Sequence, residues 1–146
     1  MKPVQVKKTF KIVGIKGYGA FADFATEVPD FARQLLLRTR EIENHTNVEI
    51  ALFEPKRGEN HLEGDYYVGI VVHDKPRHIP KSMEYMEVSH TYTSIRGPIA
   101  AIDSLYKELG EWTEEEQYLR DFASFIVETY HPAERGEEVE VFLPIK

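Results

Sequence analysis

The chain has 146 residues, enough for one domain with a real core, and its 42% hydrophobic and 29% charged residues are ordinary for a globular fold. Its 18 basic and 25 acidic residues leave a net charge of −7, which argues against a nucleic-acid reader held by phosphate contacts. The absence of cysteine excludes disulfides, thiol nucleophiles and thiolate metal sites, and the longest apolar run, Tyr66 to Val72, is far below the ~20 residues a spanning helix needs. The opening MKPVQVKK leads into no apolar signal segment, so a cytoplasmic protein is expected. The one unusual number is the aromatic content of 12%, with eight Tyr, eight Phe and one Trp.

In chain order, residues 6–16 alternate as a strand, and Gly17-Tyr18-Gly19 reads as the turn that ends it. A helix is expected from about 26 to 43, with Pro29 in its first turn and Phe31, Leu35 and Ile42 on its apolar stripe. NVEIALFEP is a strand stopped by Pro55, KRGENHLEG a hairpin loop, and DYYVGIVVH a central strand. Residues 74–82, with two prolines and no apolar period, connect two halves. MEYMEVSHTYTSIRG is again a strand. A second helix follows Gly97-Pro98, with Ile99, Ile102, Leu105, Tyr106 and Leu109 as its stripe and Gly110 as its C-terminal cap. The acidic segment after it is a short helical or irregular crossing, and ASFIVETYHP and VEVFLPIK are the last strands.

The order repeats. TYHPAERGEEVEVFLPI echoes LFEPKRGE and DYYVGIVV, so that Ala51 corresponds to Glu128, Phe53 to Tyr130 and Pro55 to Pro132. The expected fold is therefore α+β. A single domain over 1–146 is built from duplicated βαββ units, about 4–74 and 83–146, related by a pseudo-twofold axis. Helices pack on an antiparallel sheet, and a ligand groove lies near the axis, between the helices and the strands.

Glu128 is the polar group to place. It shares a strand face with Ile126 and Tyr130, because strand side chains alternate. Two placements fit this pattern: the solvated side of an edge strand, or a buried face. If buried, desolvation raises its pKa and it requires hydrogen-bond donors or a cation. Tyr92 and Tyr130 are candidate hydroxyl donors, and Trp112 and the tyrosines candidate ring faces for a lipophilic cation. The six histidines are scattered and form no metal-ligand motif, so neither a metal nor a cofactor is expected.

Taken together, FKIVGIKG, VPDFARQLLLR, DYYVGIVV, MEVSHTYTSIRGPIAAI, Trp112, SFIVETY and EVFLPIK resemble the GyrI-like, or bacterial transcription activator, effector-binding domains. The stand-alone integron-cassette type is the nearest in character. The resemblance implies the duplicated βαββ fold and a pocket for hydrophobic, often cationic, drug-like molecules with an acid at its base. Glu128-Thr129-Tyr130 occupies the place of the family's acidic element, Tyr92 that of a recurrent strand tyrosine, and Tyr67 and Trp112 those of common aromatic positions. Many relatives carry a helix-turn-helix domain before this one. Here the effector domain fills all 146 residues, so direct nucleic-acid binding is not expected. A regulatory role in transcription or in a stress or multidrug response is.

Three functions follow as expectations. The leading one is a binding module for hydrophobic, cationic small molecules through Glu128, Trp112, Tyr92, Tyr130 and Tyr67. The second is a hydrolase of reactive small molecules with Glu128 as general base and Trp112 beside it, as the resemblance implies for one branch. The third is an interaction protein, such as a gyrase inhibitor, a partner of a transcription component or a haem carrier, with the acidic 111–121 segment as its contact surface.

Overall fold

A computed structural model describes residues 2–134 and 136–146. The elements run β1 (Val4–Ala20), α1 (Phe24–Leu36), β2 (His45–Phe53), β3 (Glu63–Val72), β4 (Glu84–Pro98), α2 (Ile102–Glu115), β5 (Ile126–Ala133) and β6 (Gly136–Pro144). Short 3-10 turns precede each helix. Every strand pair is antiparallel, and the six strands close into a barrel in the order β1-β3-β2-β5-β6-β4. Each half thus contributes three adjacent strands, and the halves meet twice, at β1–β4 and at β2–β5. Ala51 and Glu128, matched by the sequence echo, are direct partners across the β2–β5 seam.

Side-chain alternation sorts the core into layers. Phe10, Ile12, Ile50, Leu52, Tyr92, Val127 and Phe142 fill the barrel interior. On the outside, Ala51, Tyr66 and Val68 pack under Val28, Phe24 and Phe31 of α1. Ile95, Val139, Val141 and Leu143 pack against Leu105 and Leu109 of α2. Helix α1 rests mainly on β1 and β3, and α2 on β4 and β6. The outer face of the β2–β5 seam therefore lies between the two helices.

Two glycine readings change. The expected turn at Gly17-Tyr18-Gly19 is continuous strand, paired with Tyr66, Asp65 and Gly64 of β3. Gly17 is there to admit a ring: a Cβ on it would come within 2.3 Å of the Tyr66 side chain. Nor does α2 end at Gly110. It continues to Glu115 because Thr113 extends the buried stripe of Leu105 and Leu109. Its cap is Gln117, at φ +65°, with Tyr118 N–H donating to Thr113 O and Gln117 N–H to Glu114 O. This is a Schellman ending with Gln where Gly is usual. At the other helix, α1 begins at Phe24, which puts Pro29 in the second turn, where it withholds the N–H that Ala25 C=O would otherwise accept. The segment expected to prolong α1 to Glu43 is instead a 3-10 turn over Thr39–Glu41.

Candidate ligand-binding site

Across the seam, the outward-facing residues form three rows: Phe53 with Ile126, Ala51 with Glu128, and Glu49 with Tyr130. With α1 and the start of α2 as walls, this face floors a cavity of about 780 Å³. Phe24, Val28, Pro29 and Ala32 come from α1, and Ile99, Ile102 and Tyr106 from the start of α2 and its preceding turn. The size and the mostly apolar lining are those of a small-molecule site. Ala51 matters by being small: opposite Glu128, it leaves the carboxylate facing open volume.

Glu128 is 7% exposed. Tyr106 O–H donates to its Oε2 and Tyr130 O–H to its Oε1. Among the described residues, no cationic side chain forms an ion pair with it at 4.0 Å or less. Burial pushes the Glu128 carboxyl above its ordinary value, and the two phenol hydrogen bonds oppose that shift without cancelling it. The same burial, with the Glu128 charge beside them, pushes both phenols well above the usual tyrosine value. They therefore remain donors throughout the neutral range. The result is a desolvated acid with its hydrogen-bonding needs met and its charge unmet.

Of the residues expected at the site, Glu128 and Tyr130 come together and the other three lie elsewhere. Tyr92 is fully buried inside the barrel between Phe10 and Phe142, with no hydrogen-bond partner for its hydroxyl among the described residues. Burial takes that hydroxyl to a pKa of about 12. Tyr67 also packs against the interior cluster, its ring 5.7 Å from Phe125. Both have the wrong strand parity for the outer face. Trp112 lies in a shallow cleft with Pro3, Glu108, Glu111 and Glu115, its ring 5.9 Å from Tyr118. Six positions on from Tyr106, it is about 240° further round α2, which turns it away from the cavity.

Tyr106, which the sequence places in the apolar stripe of α2, is a donor to Glu128 and lines the cavity. Its signal was a polar tip in an otherwise aliphatic stripe. Phe24, Phe53 and Pro29 also line the cavity; Phe24 and Phe53 meet because α1 docks over the strands of the first half, a long-range arrangement that periodicity along the chain does not show. A buried carboxylate of raised pKa has the chemistry of a general base, but the tryptophan expected beside it is not among the lining residues. Among the described residues no group of three metal-ligating side chains occurs, and neither His73 nor His78 lines the cavity. No described helix is long and apolar enough to cross a membrane.

Solved structures share this fold over nearly the whole of this chain. SAV2435 bound to tetraphenylphosphonium has a TM-score of 0.74 at 15% identity, covering 100% of this chain and 94% of that one. The integron cassette protein VCH_CASS2, from the mobile metagenome of Vibrio cholerae, has a TM-score of 0.69 at 13% identity, covering 99% and 95%. EcmrR in its complex with DNA has a TM-score of 0.65 at 12% identity; this chain is covered over 99% and spans 57% of EcmrR. No curated protein matches the sequence. The family model described as Cass2, integron-associated effector binding protein, matches residues 4–145, and the chain belongs to that family.

Proposed function

We propose that this chain is a receptor for hydrophobic organic cations, with Glu128 as the counter-charge and Tyr106 and Tyr130 orienting its carboxylate. The observation that carries the reading is a 7%-exposed carboxylate facing a 780 Å³ apolar cavity with no cationic partner among the described residues. A buried charge is costly until it is paired. A lipophilic cation completes the pair while its apolar body covers Phe24, Phe53 and Ile126. A large delocalised cation gives up little hydration on entering, and the tyrosine rings add a favourable face for it. Membership of an effector-binding family and the tetraphenylphosphonium bound by SAV2435 support this ligand class. The finer reading is a single cytoplasmic domain of two βαββ repeats, about 4–74 and 83–146. It reports ligand to a transcription or multidrug-response partner, and the likeness to EcmrR supports that output.

Calorimetric titration with tetraphenylphosphonium tests the site. Saturable one-to-one binding is expected. Glu128→Gln weakens it by at least about tenfold, the usual loss when one partner of a desolvated charge pair is removed. Trp112→Phe leaves it within about twofold, because Trp112 lies outside the cavity. Binding that survives Glu128→Gln would overturn the role of the carboxylate, and no binding of any organic cation would overturn the ligand class.

A further inference from the structure

The cavity holds a second negative locus that a single cation on Glu128 leaves unused. Glu49 lies opposite Tyr130, one row along the seam from Glu128, and Glu137 at the start of β6 lines the same cavity. Glu49 is half-buried, and burial together with the Glu137 charge pushes its carboxyl up. Among the described residues, no Lys, Arg or His forms an ion pair with either carboxylate. Of the two basic side chains that line the cavity, Arg33 is paired with Asp30. Lys56 follows Pro55 beyond the far end of β2, with Phe53 and Ala51 between it and Glu49.

These acids share a cavity with Glu128, which is itself nine-tenths buried, aimed into the space and without a cation. Adjacent same-face rows on a strand are roughly 7 Å apart. Tyr130 sits opposite Glu49 while its hydroxyl reaches back to Glu128, so an aromatic ring lies between the two negative loci.

We propose that the cavity selects dications: compact aromatic or aliphatic molecules with two cationic centres roughly 7–10 Å apart, one at Glu128, the other at Glu49 and Glu137, and the body over Tyr130. This specificity rests on the cation-binding reading above. The test compares p-xylylenebis(trimethylammonium) with the matched monocation (4-methylbenzyl)trimethylammonium on the full chain by calorimetry, with tetraphenylphosphonium as reference. The dication is expected to bind about three- to tenfold tighter, the return on one additional half-exposed charge pair. Glu49→Gln brings the ratio of the two affinities close to one, and Glu137→Gln lowers it. Thermal melting of each variant checks that the fold is retained. Equal affinities in the native chain, or a ratio untouched by both substitutions, would overturn the dication preference while tetraphenylphosphonium binding left the broader reading standing. Failure of all three probes would overturn both.

Discussion

In its ionised form the Glu128 carboxylate accepts two phenol hydrogen bonds and forms no ion pair among the described residues, and burial raises its carboxyl pKa. Between the unfolded and the folded pKa the native state holds a proton that the unfolded state has released. The stability associated with Glu128 is therefore fully present below the unfolded value and is lost as pH rises through the folded one. Glu128→Gln, which cannot ionise, is expected to gain stability relative to the native chain over that same interval and to hold the gain above it. Urea melts of both proteins from pH 4 to pH 8 measure the difference; a gap that shrinks with rising pH would contradict it. Affinity for tetraphenylphosphonium, whose charge is permanent, moves the opposite way and rises with pH over the same interval, because only the ionised acid attracts it. Tyr106→Phe removes a donor to the charged form and shifts that affinity profile to higher pH. At this scale the sequence was partly legible. Alternation alone placed Glu128 and Tyr130 on one face. It gave no means of choosing between the inner and outer face of a barrel, and Tyr92 and Tyr67, which the family resemblance implies at the site, pack with the interior cluster.

The elements show why punctuation residues mislead. Glycine serves as turn-maker, cap or space-maker, and the distinction depends on what lies across from it. Gly17 is a space-maker: Tyr66 is buried between Phe24 and Phe31, with ring centroids 5.1 and 5.6 Å away, so its ring cannot move aside for a new methyl group. Gly17→Ala is expected to cost about 1–3 kcal/mol of stability, as overpacking does. That cost corresponds to a melting temperature lower by about 2–4 °C per kcal/mol in a domain of this size. A variant melting with the native protein would show that β1 yields at this point. Gly110, by contrast, lies within an unbroken helix, and a methyl group added to it would have nothing within 4 Å. Strand and helix order were readable from periodicity. The end of α2 was not, since its cap is a glutamine at positive φ whose N–H donates to Glu114 O while the next N–H, of Tyr118, donates to Thr113 O, a role that composition assigns to glycine.

For the whole molecule, closure of the ring decides where a ligand acts. Neither half contains the site: Glu49, Ala51 and α1 come from the first, Glu128, Tyr130 and Tyr106 from the second, and the β2–β5 ladder joins them. The sequence echo pointed to two matched halves but not to their meeting at two seams, because ladder closure is set by strand pairing far apart in the chain. A cation bridging both walls is present only when β2–β5 is paired and both helices are docked, so it stabilises the native state over every state in which the seam has opened. One-site linkage predicts a gain of about 2.7 kcal/mol when the free ligand stands at a hundred times its dissociation constant. Melting temperature should then rise by roughly 5–10 °C with tetraphenylphosphonium and keep rising with the logarithm of its concentration. Because both seams must open together for the ring to come apart, far-ultraviolet circular dichroism and tyrosine fluorescence should report one coincident transition, with and without ligand. Two separated transitions, with only one responding to the cation, would mean that the halves unfold independently and that the cavity belongs to one of them.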